Sequence, residues 1–329
     1  MGISSLSISL LLAAVPVPVA SQPVASEVPM AAEAYQQVLL EGDVVQLGDA
    51  CSDAARFGLG GRLKELRDRL MVVAPAPQPF AVVMANTRAL LACKAPGSAR
   101  RVLSRFGPGT DVQRREWLVL SWRIAAAARD HEAAVLALRR LAAGDLARLA
   151  SVRLELGHDA NGIPVTRSAL DQLADHEAAL NRLDRAAAVA LSARSSGLEG
   201  ARRLAQAARW LESLGQNDAT TILETALDQA AVAQAWSLAE ELLNIQLRLE
   251  RKAGGDGARP RQRLERLASR VDDRYTLWQL LQDDPQSPEI EARRLVLEQQ
   301  LRSPRQVGAS TLEESEQEGP DGSDSPATP

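Results

Sequence analysis

Two copies of one pentapeptide hold the residues best suited to chemistry. Asp130-His131-Glu132-Ala133-Ala134 recurs as Asp175-His176-Glu177-Ala178-Ala179. A histidine between two carboxylates suits acid–base exchange or metal ligation, because imidazole titrates near neutrality and its neutral form is a common ligand. A helical zinc pair needs a second ligand four residues on, and those positions are Val135 and Leu180. A plainer physical role is available. An aspartate just before a helix caps the free backbone amides, and a glutamate in the first turn complements the helix dipole. Both pentapeptides are therefore expected to be turns and helix starts. His158 is the remaining histidine and is expected in a loop.

Other catalytic patterns are missing from the sequence. There is no P-loop, dinucleotide-binding fingerprint or nucleophile elbow. Gly58-Leu59-Gly60-Gly61 follows no strand and reads as a helix stop. The expectation is a chain with no cofactor and no metal. Arginine pairs stand at 100–101, 114–115, 139–140, 202–203 and 293–294. They could form a stripe for an anionic ligand, but solvated outer faces balanced by nearby acids are the simpler expectation. The formal net charge is −4, yet six acids follow Arg305 with no compensating base; the rest of the chain carries +2. Near neutrality, with 3% aromatic residues for base stacking, gives no case for a nucleic-acid partner.

The elements that must position these residues are helical. Of 329 residues, 46% are hydrophobic, and with so few aromatics alanine and leucine carry the core. Both are strong helix formers, and no run of β-branched alternation points to a substantial sheet. Residues 1–25 are apolar with small residues and prolines at the exit, resembling a secretory signal or an N-terminal apolar segment. That places the protein in an exported compartment, periplasm or thylakoid lumen; the alternative is anchorage by an uncleaved segment. Cys51 and Cys93 could pair in such a compartment, or could simply be two small buried hydrophobes; their spacing fits no zinc pattern.

Along the chain, residues 26–73 form a helical lead-in, ending before the proline-rich stretch 74–80. Helices alternate with short breaks over 80–252, with Asp145 to Leu156 and Val165 to Leu180 both expected as helices and 158–164 as a loop. GGDGARP at 254–260 precedes C-terminal helices over 260–302. Residues 303–329 are rich in serine, glycine, proline and acid and are expected to be a disordered tail.

A period emerges from small residues: Ala99, Ala134, Ala169, Ala201 and Ala239 are separated by 35, 35, 32 and 38 residues. Leu118, Trp122, Ala125, Ala134 and Leu138 recur 105 residues on as Leu223, Leu227, Ala230, Ala239 and Leu243, with Asp130 in the turn of the earlier repeat and Trp236 at the start of the later repeat's second helix. A small residue lets two helices approach, and a hairpin that cannot bury its own stripe must stack on neighbours. On these residues the chain resembles the tetratricopeptide family, and through ALLACKAPGSARRVLSRFGPG it resembles cyanobacterial helical-repeat proteins. The resemblance implies an all-α fold, an α-solenoid of stacked helix–turn–helix hairpins. In that family the first helices line a concave groove. The facing positions here would include the candidate binding residues Arg88, Arg123 and Arg194, with Glu224 and Asp228 further along. The expected function is a noncatalytic protein–protein interaction scaffold of the cell envelope, taking an acidic extended peptide in the groove. Its partner would be a protein or peptide, with membrane association only through the N-terminal segment. The acidic tail is itself a candidate occupant. The alternative is an enzyme, or a helical accessory domain of one, with an unrecognised site.

Overall fold

A computed structural model describes residues 28–73, 77–159, 161–194, 196–216, 218–282 and 287–302. The export segment and the acidic tail lie outside the described residues. The described chain is mostly helical and divides into two compact units at Gly107-Pro108, inside the stretch read from sequence as one array.

The first unit holds α1 (Ala32–Glu41), α2 (Val44–Arg56), α3 (Gly60–Val72), α4 (Phe80–Ala92) and α5 (Pro96–Leu103). Asp43 starts α2 by accepting from the amides of Val45 and Gln46, while the Gln46 side chain answers the Asp43 amide. This reciprocal cap satisfies amides that a helix start leaves free. Leu47, Ala50, Cys51 and Ala54 then fall on one face and are buried, and α2 packs on α4. The two helices come close at Gly48, where a Cβ would sit 3.2 Å from that of Ala89. Beside this contact Cys51 and Cys93 form a disulfide, the first of the two alternatives left open by the sequence. Buried Asn86 donates to the Leu70 carbonyl at 3.0 Å and so serves the otherwise unpaired C-terminal end of α3.

The second unit holds α6 (Asp111–Ala127), α7 (His131–Ala142), a 3₁₀ turn (Leu146–Ser151), β1 (Arg153–His158) and β2 (Pro164–Ser168). It continues with α8 (Ala169–Ala179), α9 (Leu183–Leu191), α10 (Gly197–Ser213), α11 (Ala219–Val232) and α12 (Trp236–Lys252). The last three are α13 (Ala258–Arg270), α14 (Arg274–Gln282) and α15 (Pro288–Arg302). Each helix packs on its chain neighbour from α6 to α15, and α10 also touches α12. One core gathers Trp122, Leu138, Leu149, Leu154, Leu173 and Ala187; a second gathers Leu223, Leu227, Leu242, Leu243 and Leu264.

One turn is reused between helices. Lys94, Arg129, Asn181 and Gln234 all adopt left-handed φ values of 53° to 58°. The next amide reaches back five residues in each case: Ala95 to Leu90, Asp130 to Ala125, Arg182 to Glu177 and Ala235 to Ala230, at 2.9–3.0 Å. This is the Schellman closure, which satisfies the last free carbonyls of the leading helix. It lets the second helix start two residues later. All five small anchors are buried; Ala99, Ala134 and Ala239 lie in α5, α7 and α12, whereas Ala169 opens α8 and Ala201 lies in α10.

Two sequence expectations are corrected here. Neither 145–156 nor 165–180 is one helix: a 3₁₀ turn and an antiparallel β-hairpin occupy 146–168. The cause is the Asp159–Ile163 turn. Asp159 accepts from the amides of Asn161 and Ile163, and Gly162 takes φ 77°. Asn-Gly is a strong hairpin signal, because both residues tolerate left-handed backbone. Leu154 is the inward-facing anchor of the hairpin, and Ala169 donates from its amide to the Val152 carbonyl at 2.8 Å.

Candidate functional site

The two pentapeptides meet in space, but not as twin helix starts. Asp130 caps α7 as expected, accepting from the Ala133 amide at 3.1 Å. Asp175 does not cap; it lies within α8 and pairs with Arg167 at 2.5 Å. Expecting a second helix start was wrong because Ser168, seven residues earlier, already caps α8 through the Asp171 amide.

That placement brings His176 of α8 against His131 of α7, with Nδ1 atoms 2.9 Å apart. Trp122 of α6 donates its indole N–H to His176 Nε2 at 3.1 Å. The indole nitrogen can only donate, so His176 Nε2 carries no proton. Its neutral ring must hold the proton on Nδ1 and donate it to His131 Nδ1, which leaves the His131 proton on Nε2. The chain of donors thus runs in one direction from Trp122 through His176 to His131. It also bars His176 from using Nδ1 as a metal ligand while the indole bond persists. Among the described residues no group of three His, Cys, Asp or Glu side chains is placed to hold a metal ion.

Beside the histidines, Glu177 is fully buried and accepts from Arg139 Nε at 3.1 Å and Nη2 at 2.5 Å. Its second oxygen faces Arg182 Nη1 at 3.7 Å, and Arg182 also pairs with Glu132. Burial, with repulsion from His131 second, lowers the His176 pKa to about 4. The network therefore keeps His176 neutral and locks three consecutive helices together.

A second buried network was missed by sequence reading. Arg203, expected on a solvated face, is 6% exposed. Its Nε donates to Asp171 at 2.6 Å, and Nη2 reaches Ser168 and Glu199. Burial pushes the Asp171 carboxyl up, but hydrogen bonds from Arg203 and Ser168 outweigh it and hold the group below its ordinary value. Asp175 goes the other way: burial raises it despite Arg167. The available signal for Arg203 was Asp171, opposite in charge and four residues before Asp175, but nothing in the sequence pairs them.

The candidate binding arginines are placed differently from one another. Arg88 is exposed on α4 of the first unit. Arg123 is half-buried on α6 of the second and donates to the Glu155 carboxylate at 2.9 Å and carbonyl at 3.3 Å, tying α6 to β1. Arg194 is exposed beyond the end of α9 rather than on a helix. Glu224 accepts from Arg263 and Gln246, and Asp228 lines a groove of about 660 Å³ with Arg259, Arg263 and Arg266. A larger depression of about 800 Å³ is walled by α10, α12 and α14. Its charges are largely engaged within the protein: Arg209 pairs with Glu241, and Thr276 donates to Glu240 at 2.8 Å.

No family model and no curated protein matches the chain.

Proposed function

We propose that the protein is a noncatalytic interaction scaffold of the cell envelope, built as a solenoid of stacked helical hairpins. The observation that carries this reading is the order of packing. In the second unit, helices meet their chain neighbours from α6 to α15, through a recurring left-handed turn. Such nearest-neighbour stacking is the arrangement by which repeat proteins present long binding surfaces. Two of the groups with displaced titration also favour it over an enzyme. His176 and Asp171 are sealed in internal networks, and neither is among the described residues that line the cavities at α10–α15. An enzyme site tends to aim such groups into a pocket.

Export to a periplasm or thylakoid lumen is part of the proposal, and the Cys51–Cys93 disulfide supports it, because such bonds persist in oxidising compartments. No helix among the described residues is long and apolar enough to cross a membrane. The proposed ligand is an acidic extended peptide, taken up by the second unit, where the candidate arginines are Arg123 and Arg194. Fluorescence anisotropy of a labelled Glu-rich peptide tests the assignment. The R123A/R194A chain should bind at least about threefold more weakly, the loss of one exposed contact at Arg194 and one at Arg123, which must give up part of its pairing with Glu155. Unchanged binding would remove these residues from the site.

A further inference from the structure

The richest unassigned surface is the outer face of α13. Arg259, Arg263 and Arg266 stand at i, i+4 and i+7, so they share one side of the helix. They form one wall of the 660 Å³ groove, whose floor includes Leu227 and Leu243. Arg263 is anchored by both oxygens of Glu224 at 2.9 Å. Arg259 is 77% exposed along its side chain, and its Nη2 lies 3.9 Å from Glu224. Arg266 is exposed, and its Nε donates to the Gln262 carbonyl in its own helix. Asp228, on the α11 side, repels acids and so directs them toward α13. The groove therefore suits a segment with one apolar side chain followed by several carboxylates.

The chain carries such a segment. Leu312 is followed by Glu313, Glu314, Glu316 and Glu318. The preceding helix is tethered close by. Arg293 of α15 pairs with Glu265, the neighbour of Arg266, at 3.5 Å. From Arg293 to Arg302 the helix advances roughly 14 Å, while residues 303–312 can extend roughly 33 Å. Leu312 is therefore within reach of the groove.

We propose that this groove is occupied by the chain's own segment Leu312–Glu318. The apolar floor of Leu227 and Leu243 would accept Leu312, and Arg259, Arg263 and Arg266 match the charge of Glu313, Glu314 and Glu316. The tail acts as a tethered competitor that must leave before an acidic partner can use α13. This is separate from the reading of Arg123 and Arg194 and stands or falls on its own.

The test uses a fluorescein-labelled peptide of residues 308–320 and the full chain. Wild type should bind it weakly, because the tethered copy competes at a millimolar effective concentration. The E313Q/E314Q/E316Q/E318Q chain should bind it about 5- to 10-fold more tightly. R259E/R266E in that background should abolish binding, and a peptide with arginine in place of its glutamates should restore it. R266Q alone, at an exposed position, should weaken binding about threefold and guards against a folding defect in the double variant. Equal affinity for wild type and the tail-neutralised chain would overturn occupancy by the tail. No binding to the tail-neutralised chain, or undiminished binding after R259E/R266E, would overturn the groove assignment.

Discussion

Acid should destabilise the second unit through His176 between pH 6.5 and about 4. The folded His176 has a pKa of about 4, lowered first by burial and then by His131; an unfolded histidine titrates near 6.5. The folded value is the depressed one, so the neutral ring contributes stability that is fully present above pH 6.5. Below that pH the unfolded chain takes up a proton that the folded chain refuses. Stability falls from pH 6.5 to about 4 and then levels. Across that window the loss is at most roughly 3 to 4 kcal/mol. The donor chain gives the structural cause: a proton on His176 Nε2 removes the acceptor of Trp122, and a proton on His131 Nδ1 meets the proton of His176 Nδ1. The charged groups on the elements around the pair, Glu132, Arg139, Asp175, Glu177 and Arg182, are retained in both wild type and variant. H176Q is the control, since an amide can accept from the indole and donate to His131 without titrating. Urea unfolding followed by tryptophan fluorescence should show the wild-type midpoint falling by roughly 1 M between pH 7 and 4.5. The H176Q midpoint should fall distinctly less. Parallel curves for the two proteins would refute the assignment of the proton to this pair.

Reducing Cys51–Cys93 should destabilise the first unit by about 4 kcal/mol through loop entropy over its 42-residue separation, seen as a lower melting temperature in dithiothreitol. R203M should cost about 3 kcal/mol by leaving Asp171 buried without its cation, and adding D171N should recover at least about 1 kcal/mol of it; a double variant no better than the single would contradict the pairing. Q234G should stabilise the second unit by about 0.5–1 kcal/mol, because glycine adopts the left-handed turn without the Cβ penalty, and chemical denaturation at pH 7 reads it.

The helices were legible in the sequence because their signals are local. Apolar spacing in α2 with Asp43 ahead, and in α6–α7 with Asp130 between, sufficed to place them. The Schellman turns were harder, since Lys94, Arg129, Asn181 and Gln234 stand where glycine normally marks the motif. The β-hairpin carried a readable Asn161-Gly162 signal, but its strands have one buried apolar residue, Leu154, and little alternation to advertise them. The polar networks were not legible at all. His131 and His176 are 45 residues apart, and Arg203 and Asp171 are 32 apart; only the packing of α7 on α8, and of α10 near the start of α8, brings them together. Identical pentapeptides took different roles because Ser168 captured the cap of α8 and left Asp175 within it.

The measurement that bears most directly on the scaffold reading is an isothermal titration of the disulfide-intact full chain with two peptides. One is extended and Glu-rich; the other has glutamine at every acidic position. The account predicts saturable binding of the acidic peptide that weakens as salt rises and no measurable binding of the glutamine peptide. Equal binding of both, or of neither, would contradict it.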